Sequence, residues 1–227
     1  MTAFETKPIV DIGTGIYTMP DVAAILGLPV AKVRRWLRSY WNAQFGQATG
    51  MSFSEGEGRE LVVNFHTLIE FYVFYQLRDR GVSVKKIVEA HRILEDLYQT
   101  AYPFATVSLL AQKGGNVLFE GKVGELIRAD ESLQIVIKEI LAPFCDKIEF
   151  GPDKLAKCFY PSGRNSSVVV DPRRRFGQPV IADTNITTET VFDLHRGGEP
   201  TDVIARIYDL TAKQVRDALS YHYRNAA

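Results

Sequence analysis

The fold of the carboxyl-terminal quarter of the chain is decided by residues 168–223, which read VVVDPRRRFGQPVIADTNITTETVFDLHRGGEPTDVIARIYDLTAKQVRDALSYHY. The β-branched run Val168–Val170 predicts a strand. Asp171-Pro172 ends this strand, because proline has no N–H to donate to a sheet. Pro179–Ile181 predicts a second short extended segment after Gly177. This part of the chain therefore begins as strand, turn and strand.

Three short helices are predicted after these strands. Thr187 or Thr188 caps the first helix, and Pro200 stands where the second begins. Thr211 and Gln214 form a capping-box pattern at the start of the third. The third helix places three polar side chains outside: Lys213, Gln214 and Arg216. Two helices joined by a tight turn, the second of them amphipathic, are the outline of a helix-turn-helix.

The fixed positions of this stretch resemble the domain-of-unknown-function family 433. The residues that carry the resemblance are Asp171-Pro172, Phe176-Gly177, Pro179-Val180-Ile181, Thr184, Ile186, Tyr208, Leu210-Thr211 and Val215. The family usually has Gly-Thr-Arg where this chain has Asp183-Thr184-Asn185. It is typical of VapB-like antitoxins paired with PIN-like nuclease toxins. The resemblance therefore implies a PIN-like nuclease as the protein partner.

Composition bounds the class of protein. The chain has 227 residues, 46% of them hydrophobic, and its 27 basic and 27 acidic residues leave no net charge. This balance argues against nonspecific coating of nucleic acid but leaves room for a local basic patch. No signal peptide and no membrane span is indicated, so we expect a cytoplasmic protein. Cys145 and Cys158 are expected to be buried thiols.

The amino-terminal residues predict a second pair of short helices. Thr18 caps the first helix, and Gly27 ends it. Pro29 opens a helix that is expected to run from Val30 to about Tyr40. One face of this helix is apolar: Val30, Val33, Trp36, Leu37 and Tyr40. The opposite face is basic, with Lys32, Arg34, Arg35 and Arg38, and no acid lies between Val30 and Asn42. We favour DNA recognition over a merely solvated basic face.

This segment also resembles the start of MerR-type regulators. The matching residues are Tyr17-Thr18, Asp21-Val22-Ala23, Leu26-Gly27 and Val33-Arg34-Arg35-Trp36. The resemblance implies a winged helix-turn-helix that reads double-stranded operator DNA, followed by a helix that dimerises. Residues 46–58 and the strand-like Leu61–Val63 would form the wing. The residues expected to contact DNA are Lys32, Arg34, Arg35, Arg38, Tyr40 and Arg59.

The middle of the chain carries no recognised motif. Helices are predicted from Phe65 to Arg80 and from Ser83 to about Ala101. The second has an apolar stripe of Val84, Ile87, Val88, His91, Leu94 and Tyr98. We expect a homodimer whose surface is formed by Ile87, Val88, Leu94 and Tyr98 together with the unassigned middle region. His91 is expected to be a hydrogen-bonded core or interface histidine. A hairpin around residues 113–116, a helix over 130–142 and strands at Ile148–Phe150 and Cys158–Tyr160 complete this region. Its role stays open between dimer core, partner platform and ligand pocket.

We therefore expect a mainly α protein with small β elements. Its divisions are a winged helix-turn-helix (1–81), an α/β dimerisation region (82–163) and a three-helix antitoxin-type module (164–227). Toxin or DNA contacts are expected in the last of these from Arg173, Arg174, Arg175, Lys213, Gln214, Arg216 and Arg224. The expected function is that of an antitoxin that represses its own operon. The alternative is a MerR-like ligand-sensing regulator without a toxin. No catalytic, metal or cofactor pattern is recognised, so an enzyme is not expected.

Overall fold

The computed structural model describes residues 13–46, 52–106, 112–113, 116–117 and 147–226. Within these ranges the protein is mainly helical, with small antiparallel sheets, as the sequence predicted. The helices are α1 (Met19–Leu26), α2 (Val30–Trp36), α3 (Phe65–Asp79), α4 (Val84–Tyr98), α5 (Thr188–Arg196), α6 (Thr201–Ile207) and α7 (Ala212–Ala226). The strands are β1 (Tyr17–Thr18), β2 (Val62–Val63), β3 (Gln112–Lys113), β4 (Asn116–Val117), β5 (Ile148–Phe150), β6 (Ala156–Phe159), β7 (Val168–Val170) and β8 (Pro179–Ile181). The predicted helix over 130–142 and Cys145 lie outside the described residues.

The first helix pair forms where its sequence signals stand. The Thr18 hydroxyl accepts a hydrogen bond from the Asp21 N–H (3.3 Å), and the Asp21 carboxylate accepts one from the Thr18 N–H (2.9 Å). These two bonds satisfy backbone groups that a helix amino terminus otherwise leaves open. Gly27 ends α1 in the left-handed conformation, at φ 66°. The predicted cap and the predicted stop are therefore both present.

The second helix departs from its expected path at Leu37. It continues from Leu37 to Gly46 as a π-helix, whose i→i+5 bonds give it more residues per turn than an α-helix. Residues four apart therefore stay on one face, and Leu37, Trp41 and Phe45 are all fully buried. Trp41 packs edge-on against Phe71 of α3, with 4.3 Å between ring centroids. The sequence predicted that this helix ends at about Tyr40, so it did not place Trp41 and Phe45 in the core.

A buried hydrogen bond between two side chains ties α3 to α4. The His91 Nε2 lies 2.9 Å from a carboxylate oxygen of Glu70, and both side chains are fully buried. The other Glu70 oxygen accepts hydrogen bonds from the N–H groups of Phe104 (2.7 Å) and Ala105 (3.1 Å). His91 stacks on Phe45 at 3.9 Å. His91 is therefore a core histidine, one of the two roles that the sequence left open.

The apolar stripe of α4 serves the core of its own chain. Ile87 and Leu94 are 0% and 1% exposed, and Val88 is 8% exposed. These side chains are therefore not available as the dimer surface that the sequence predicted. The pattern was read correctly as a buried face, but its partner is α3 and the Pro103–Ala105 turn.

One antiparallel sheet, in the order β5-β6-β7-β8, joins the middle of the chain to its carboxyl-terminal part. Phe159 of β6 pairs with Val170 of β7, and Val168 pairs with Ile181 of β8. Tyr72 of α3 packs on Phe159, with ring centroids 4.6 Å apart. The predicted domain boundary between residues 163 and 164 thus lies between two neighbouring strands of one sheet. The division at 163 stays a prediction.

The last three helices enclose a small core of their own. It contains Ile181, Val191, Ile204, Leu210, Val215, Ala218 and Leu219. Thr187 caps α5, and Asp209 takes a left-handed conformation (φ 52°) between α6 and α7. Strands and helices here all lie where the sequence predicted them. None of the described helices has both the length and the apolar character needed to cross a membrane.

Candidate functional site

The basic face of α2 and of the π-helix that continues it is turned toward solvent. Arg35 and Arg38 are exposed, and Arg34 is half-buried. Trp36 and Val33, on the opposite face, are buried in the core. Within the part of the chain that the structure describes, no carboxylate pairs with any of these three arginines. The three guanidinium groups lack acidic partners and lie on a helix whose opposite face is buried. They form a surface suited to phosphate oxygens.

Two other residues expected at this surface have intramolecular contacts. The Lys32 ammonium lies 5.1 Å from the Trp36 ring centroid and 5.2 Å from that of Tyr75. Tyr40 is half-buried and packs on Phe74 at 5.1 Å. A cation over an aromatic face is attracted by the ring quadrupole, so the lysine is held close to the protein. Both side chains therefore lie beside the arginines and pack against aromatic rings of their own chain.

Arg59 lies at the end of a short hairpin. Glu55 and Val62 exchange backbone hydrogen bonds of 3.0 and 2.9 Å, and Val62–Val63 pairs with Tyr17–Thr18. Arg59 is exposed between the paired residues, as are Glu57 and Glu60. Arg59 thus lies at the tip of a hairpin, and this tip carries acidic as well as basic side chains.

The three consecutive arginines of the carboxyl-terminal part are held within their own turn. Arg173 makes two parallel hydrogen bonds to the Asp171 carboxylate, at 3.0 and 2.9 Å. Arg174 donates to the carbonyl of Thr184 (3.3 Å), and Arg175 donates to that of Asn185 (2.9 Å). Burial raises the pKa of Asp171, but the hydrogen bonds and charge of Arg173 lower it more, so that its pKa falls below the usual value. These arginines therefore brace the turn between β7 and β8.

Most of the basic residues expected on α7 also have internal partners. Lys213 donates to the carbonyl of Asn165 (2.7 Å) and pairs with Asp217. Gln214 completes the capping box: its side-chain oxygen accepts a hydrogen bond of 2.8 Å from the Thr211 N–H. Arg224 donates to the carbonyl of Pro161 (3.4 Å). Arg216 differs, because it is exposed and neither a hydrogen bond nor an ion pair holds its guanidinium among the described residues.

The amino-terminal helices dock on the turn before β8. The Ile16 N–H donates to the carbonyl of Phe176 (2.9 Å), and Tyr17 packs against Gly177. The hydroxyl of Tyr17 is buried and has no hydrogen-bond partner among the described residues. Burial, followed by the negative charge of Asp171, raises the pKa of Tyr17 well above its usual value. The amino-terminal and carboxyl-terminal parts of the chain are thus in direct contact.

The same turn exposes an aromatic side chain. Arg175, Phe176 and Gly177 all have positive φ, at 48°, 56° and 89°, and Phe176 is 69% exposed. Left-handed backbone costs a residue with a Cβ about 1–2 kcal/mol, so the turn is held there by its surroundings. Phe176 and Ile16 border a cavity of about 410 Å³ that reaches the start of α5. Phe176 is one of the residues that carry the family resemblance, but its exposure was not predicted, and Ile16 was not singled out, since single exposed apolar residues have no periodic signal.

Two further features concern chemistry at titratable groups. Burial raises the pKa of the Cys158 thiol to about 11, which makes it an unreactive buried cysteine, as expected. Among the described residues, no cluster of three or more His, Cys, Asp or Glu side chains is arranged to hold a metal ion.

Comparisons with known proteins support an antitoxin-like protein. Residues 168–222 match the family model "Protein of unknown function (DUF433)". The chain is 29% identical over 223 residues to "Putative antitoxin VapB45" of Mycobacterium tuberculosis, covering 90% of this chain and 92% of that protein. It is 23% identical over 225 residues to "Uncharacterized protein Rv2308" of the same organism, covering 91% and 89%. The crystal structure of Rv2018 from Mycobacterium tuberculosis has the same fold, with a TM-score of 0.67 at 22% identity over 89% of this chain and 96% of that one. The resemblance read from residues 168–223 is thus confirmed by the family match, and the similarity to an antitoxin-like protein extends over nearly the whole chain.

Proposed function

We propose that this protein is the antitoxin of a type II toxin–antitoxin pair, a non-enzymatic regulator that neutralises a PIN-like ribonuclease and represses its own operon. The observation that carries the proposal is the similarity, over 90% of the chain, to a protein named as an antitoxin. The match of residues 168–222 to the unknown-function family supports the same conclusion. The decisive experiment is co-expression with the product of a neighbouring nuclease-like reading frame. Growth should be restored, and the two chains should co-purify.

The toxin contact that we propose lies on the carboxyl-terminal module. PIN-like nucleases gather carboxylates around their metal, so their active site is negative when the metal is absent. Among the described basic residues of this module, Arg216 keeps its guanidinium free of acidic partners. Arg216→Gln should therefore reduce toxin neutralisation, whereas Lys154→Asn, which removes one charge from a distant exposed turn, should not. Equal neutralisation by Arg216→Gln and the unaltered chain would contradict this assignment.

Operator binding is proposed for α1 and α2 as a winged helix-turn-helix, with Arg34, Arg35 and Arg38 facing the major groove. The support is that these arginines lie on a helix whose other face is buried and that none of them is neutralised within the described chain. Each phosphate contact that is lost should lower the slope of log affinity against log salt by about 0.9, while a base contact costs about 1–3 kcal/mol at one position.

The test compares single-charge variants by fluorescence anisotropy on the promoter at several salt concentrations. Arg35→Gln and Arg38→Gln should weaken binding, and Lys154→Asn should leave it unchanged. Asparagine suits position 154 because that residue has a φ of 67°, which asparagine tolerates. If all three variants bind alike, the reader is not α2.

A homodimer is proposed through the exposed face of α4, instead of its buried stripe. This face carries Lys85, Glu89, Arg92 and Asp96, which alternate in charge and are all exposed. In an antiparallel two-fold pairing, Lys85 would face Asp96 of the second copy, and Glu89 would face Arg92. A parallel pairing would oppose like charges. The groove beside this face is lined by Val84, Val88 and Ile93.

Charge exchange tests this pairing. Lys85→Glu alone and Asp96→Lys alone should weaken the dimer measured by light scattering, and the double variant should restore it. A dimer that is indifferent to both single changes would place the interface elsewhere.

The second candidate function is a MerR-like ligand-sensing regulator without a toxin. It is favoured by the cavity of about 410 Å³ between the amino-terminal helices and α5, which Ile25, Phe176 and Pro179 line with apolar surface. The absence of a nuclease-like frame beside the gene, together with promoter release by a small apolar molecule, would favour this candidate over the antitoxin.

A further inference from the structure

Two cations converge on one carbonyl oxygen in a cleft between the two halves of the protein. The Lys147 ammonium lies 3.3 Å from the carbonyl of Pro161, and the Arg224 guanidinium lies 3.4 Å from the same oxygen. Lys147 immediately precedes β5, while Arg224 belongs to the last turn of α7. They border a cavity of about 270 Å³.

These two cations lack the acidic partner that several neighbouring cations have among the described residues. Several other cations of the sheet and of α7 do pair with acids: Lys157 and Arg164 share Glu149, Arg173 has Asp171, and Lys213 has Asp217. No carboxylate among the described residues pairs with Lys147 or Arg224. Burial, and then the positive charge of Arg224, lower the pKa of Lys147. Lys147 is half-buried and Arg224 is exposed beside it, so the two like charges disfavour each other, and a bound anion removes that cost.

The rest of the cleft suits an anionic group that is attached to a small apolar or planar group. Ile25, Leu26 and Gly27 form one wall, at the turn between α1 and α2. Tyr72 and Phe159 form an aromatic floor, and Gln76 supplies a side-chain amide that can donate hydrogen bonds. Low local dielectric at such a floor strengthens the attraction between the cations and an oxyanion.

We propose that Lys147 and Arg224 form a binding site for a phosphate group. Arginine presents paired N–H donors that match two phosphate oxygens, and lysine adds a point charge. The phosphate has two sources with the same chemistry. One is the backbone of DNA, because the cleft adjoins the turn of the proposed reader, and this source rests on the proposed DNA binding. The other is a small phosphorylated molecule, which requires neither DNA nor a toxin.

The site is tested first with inorganic phosphate on the full chain. Phosphate is titrated at constant ionic strength against chloride, and binding is followed by amide chemical shifts and by the rise in melting temperature. Lys147→Met keeps the apolar stem, and Arg224→Gln keeps an amide donor, so the fold should survive both changes. Each should weaken phosphate binding at least tenfold, and Lys154→Asn should not. Phosphate binding that is insensitive to both variants overturns the site.

A second arm separates the sources. If the phosphate belongs to DNA, Lys147→Met should lower promoter affinity and reduce the salt slope by about 0.9, the value for one phosphate contact. If it belongs to a small molecule, promoter affinity should stay unchanged, and a nucleoside monophosphate should bind more tightly than inorganic phosphate. Absence of both phosphate binding and any effect on promoter binding overturns the proposal. The Arg35→Gln result is independent of this outcome, so failure of the reader and failure of this site are distinguishable.

Discussion

Replacing Gly177 by alanine should destabilise the contact between the amino-terminal helices and the carboxyl-terminal module. Gly177 has a φ of 89°, and an added Cβ would overlap the hydroxyl and Cζ of Tyr17 and lie 3.0 Å from its Cε1. The left-handed backbone alone costs an alanine about 1–2 kcal/mol. Forcing a methyl group into a packed contact costs about 1–3 kcal/mol more. Gly177→Ala should therefore lower the free energy of unfolding by about 2–5 kcal/mol, a large part of a typical domain's stability.

The chain offers a matched control for the backbone contribution. Gly163 has a φ of 84°, but an added Cβ there meets nothing within 4 Å. Urea unfolding should show Gly163→Ala losing only about 1–2 kcal/mol, the left-handed cost. In the Tyr17→Leu background, which removes the ring that the methyl group meets, Gly177→Ala should cost no more than Gly163→Ala does. If Gly177→Ala and Gly163→Ala are equally costly in the unaltered chain, Tyr17 is not held against Gly177 and the docking is wrong.

Three smaller perturbations test the local structure. Thr18→Ala removes the α1 cap and should cost about 0.5–2 kcal/mol in urea unfolding; no loss would show that the capping box contributes little. Glu70→Ala leaves His91 and two backbone N–H groups without their acceptor and should cost about 3–5 kcal/mol, whereas the exposed Glu89→Ala should stay within about 0.5 kcal/mol. Asp171 has a lowered pKa in the folded protein, so its contribution to stability is present above the unfolded pKa of about 3.9 and is lost as pH falls through the folded value. The stability difference between the unaltered chain and Asp171→Asn should therefore shrink on acidification below about pH 4, and a constant difference would contradict the Arg173 pairing.

Local signals in the sequence predicted most of the helices and strands that the structure describes. The Thr18 and Thr211 capping boxes, the Gly27 stop and the Asp171-Pro172 break act within a few residues, so the neighbouring sequence determines them. The π-helix after Leu37 was not predicted, because its period is set by the packing of Trp41 and Phe45 against α3 and α4. Long-range packing decided the winding there, and the residues alone carry no sign of it.

Basic residues were the harder part of the site to read. A wheel assigns a charge to a face, but it does not show whether an acid or a carbonyl from elsewhere reaches that charge. Arg173 and Lys213 were expected to meet a partner, and each has one inside the chain. Lys147 was not singled out, because its neighbour Arg224 is distant in sequence and only the fold brings them together. A pattern of charge therefore predicts which face of a helix is exposed, but not which groups its charged side chains contact.

The sheet that crosses residues 161–167 determines how the two halves of the protein can be separated experimentally. A truncation after Gly163 would remove β7 and β8, leaving β6 without its neighbour and exposing Phe159 and Tyr72. It would also remove the turn that covers Tyr17. Unpaired strand edges and exposed aromatic side chains favour aggregation. We therefore expect the truncated chain to be insoluble or to lack a cooperative melting transition by circular dichroism. A truncation after Asn225, within the last turn of α7, leaves the sheet intact and serves as the control. A soluble, cooperatively folded 1–163 fragment would show that β5, β6 and the amino-terminal helices form an independent domain, in which case the predicted boundary at 163 would hold.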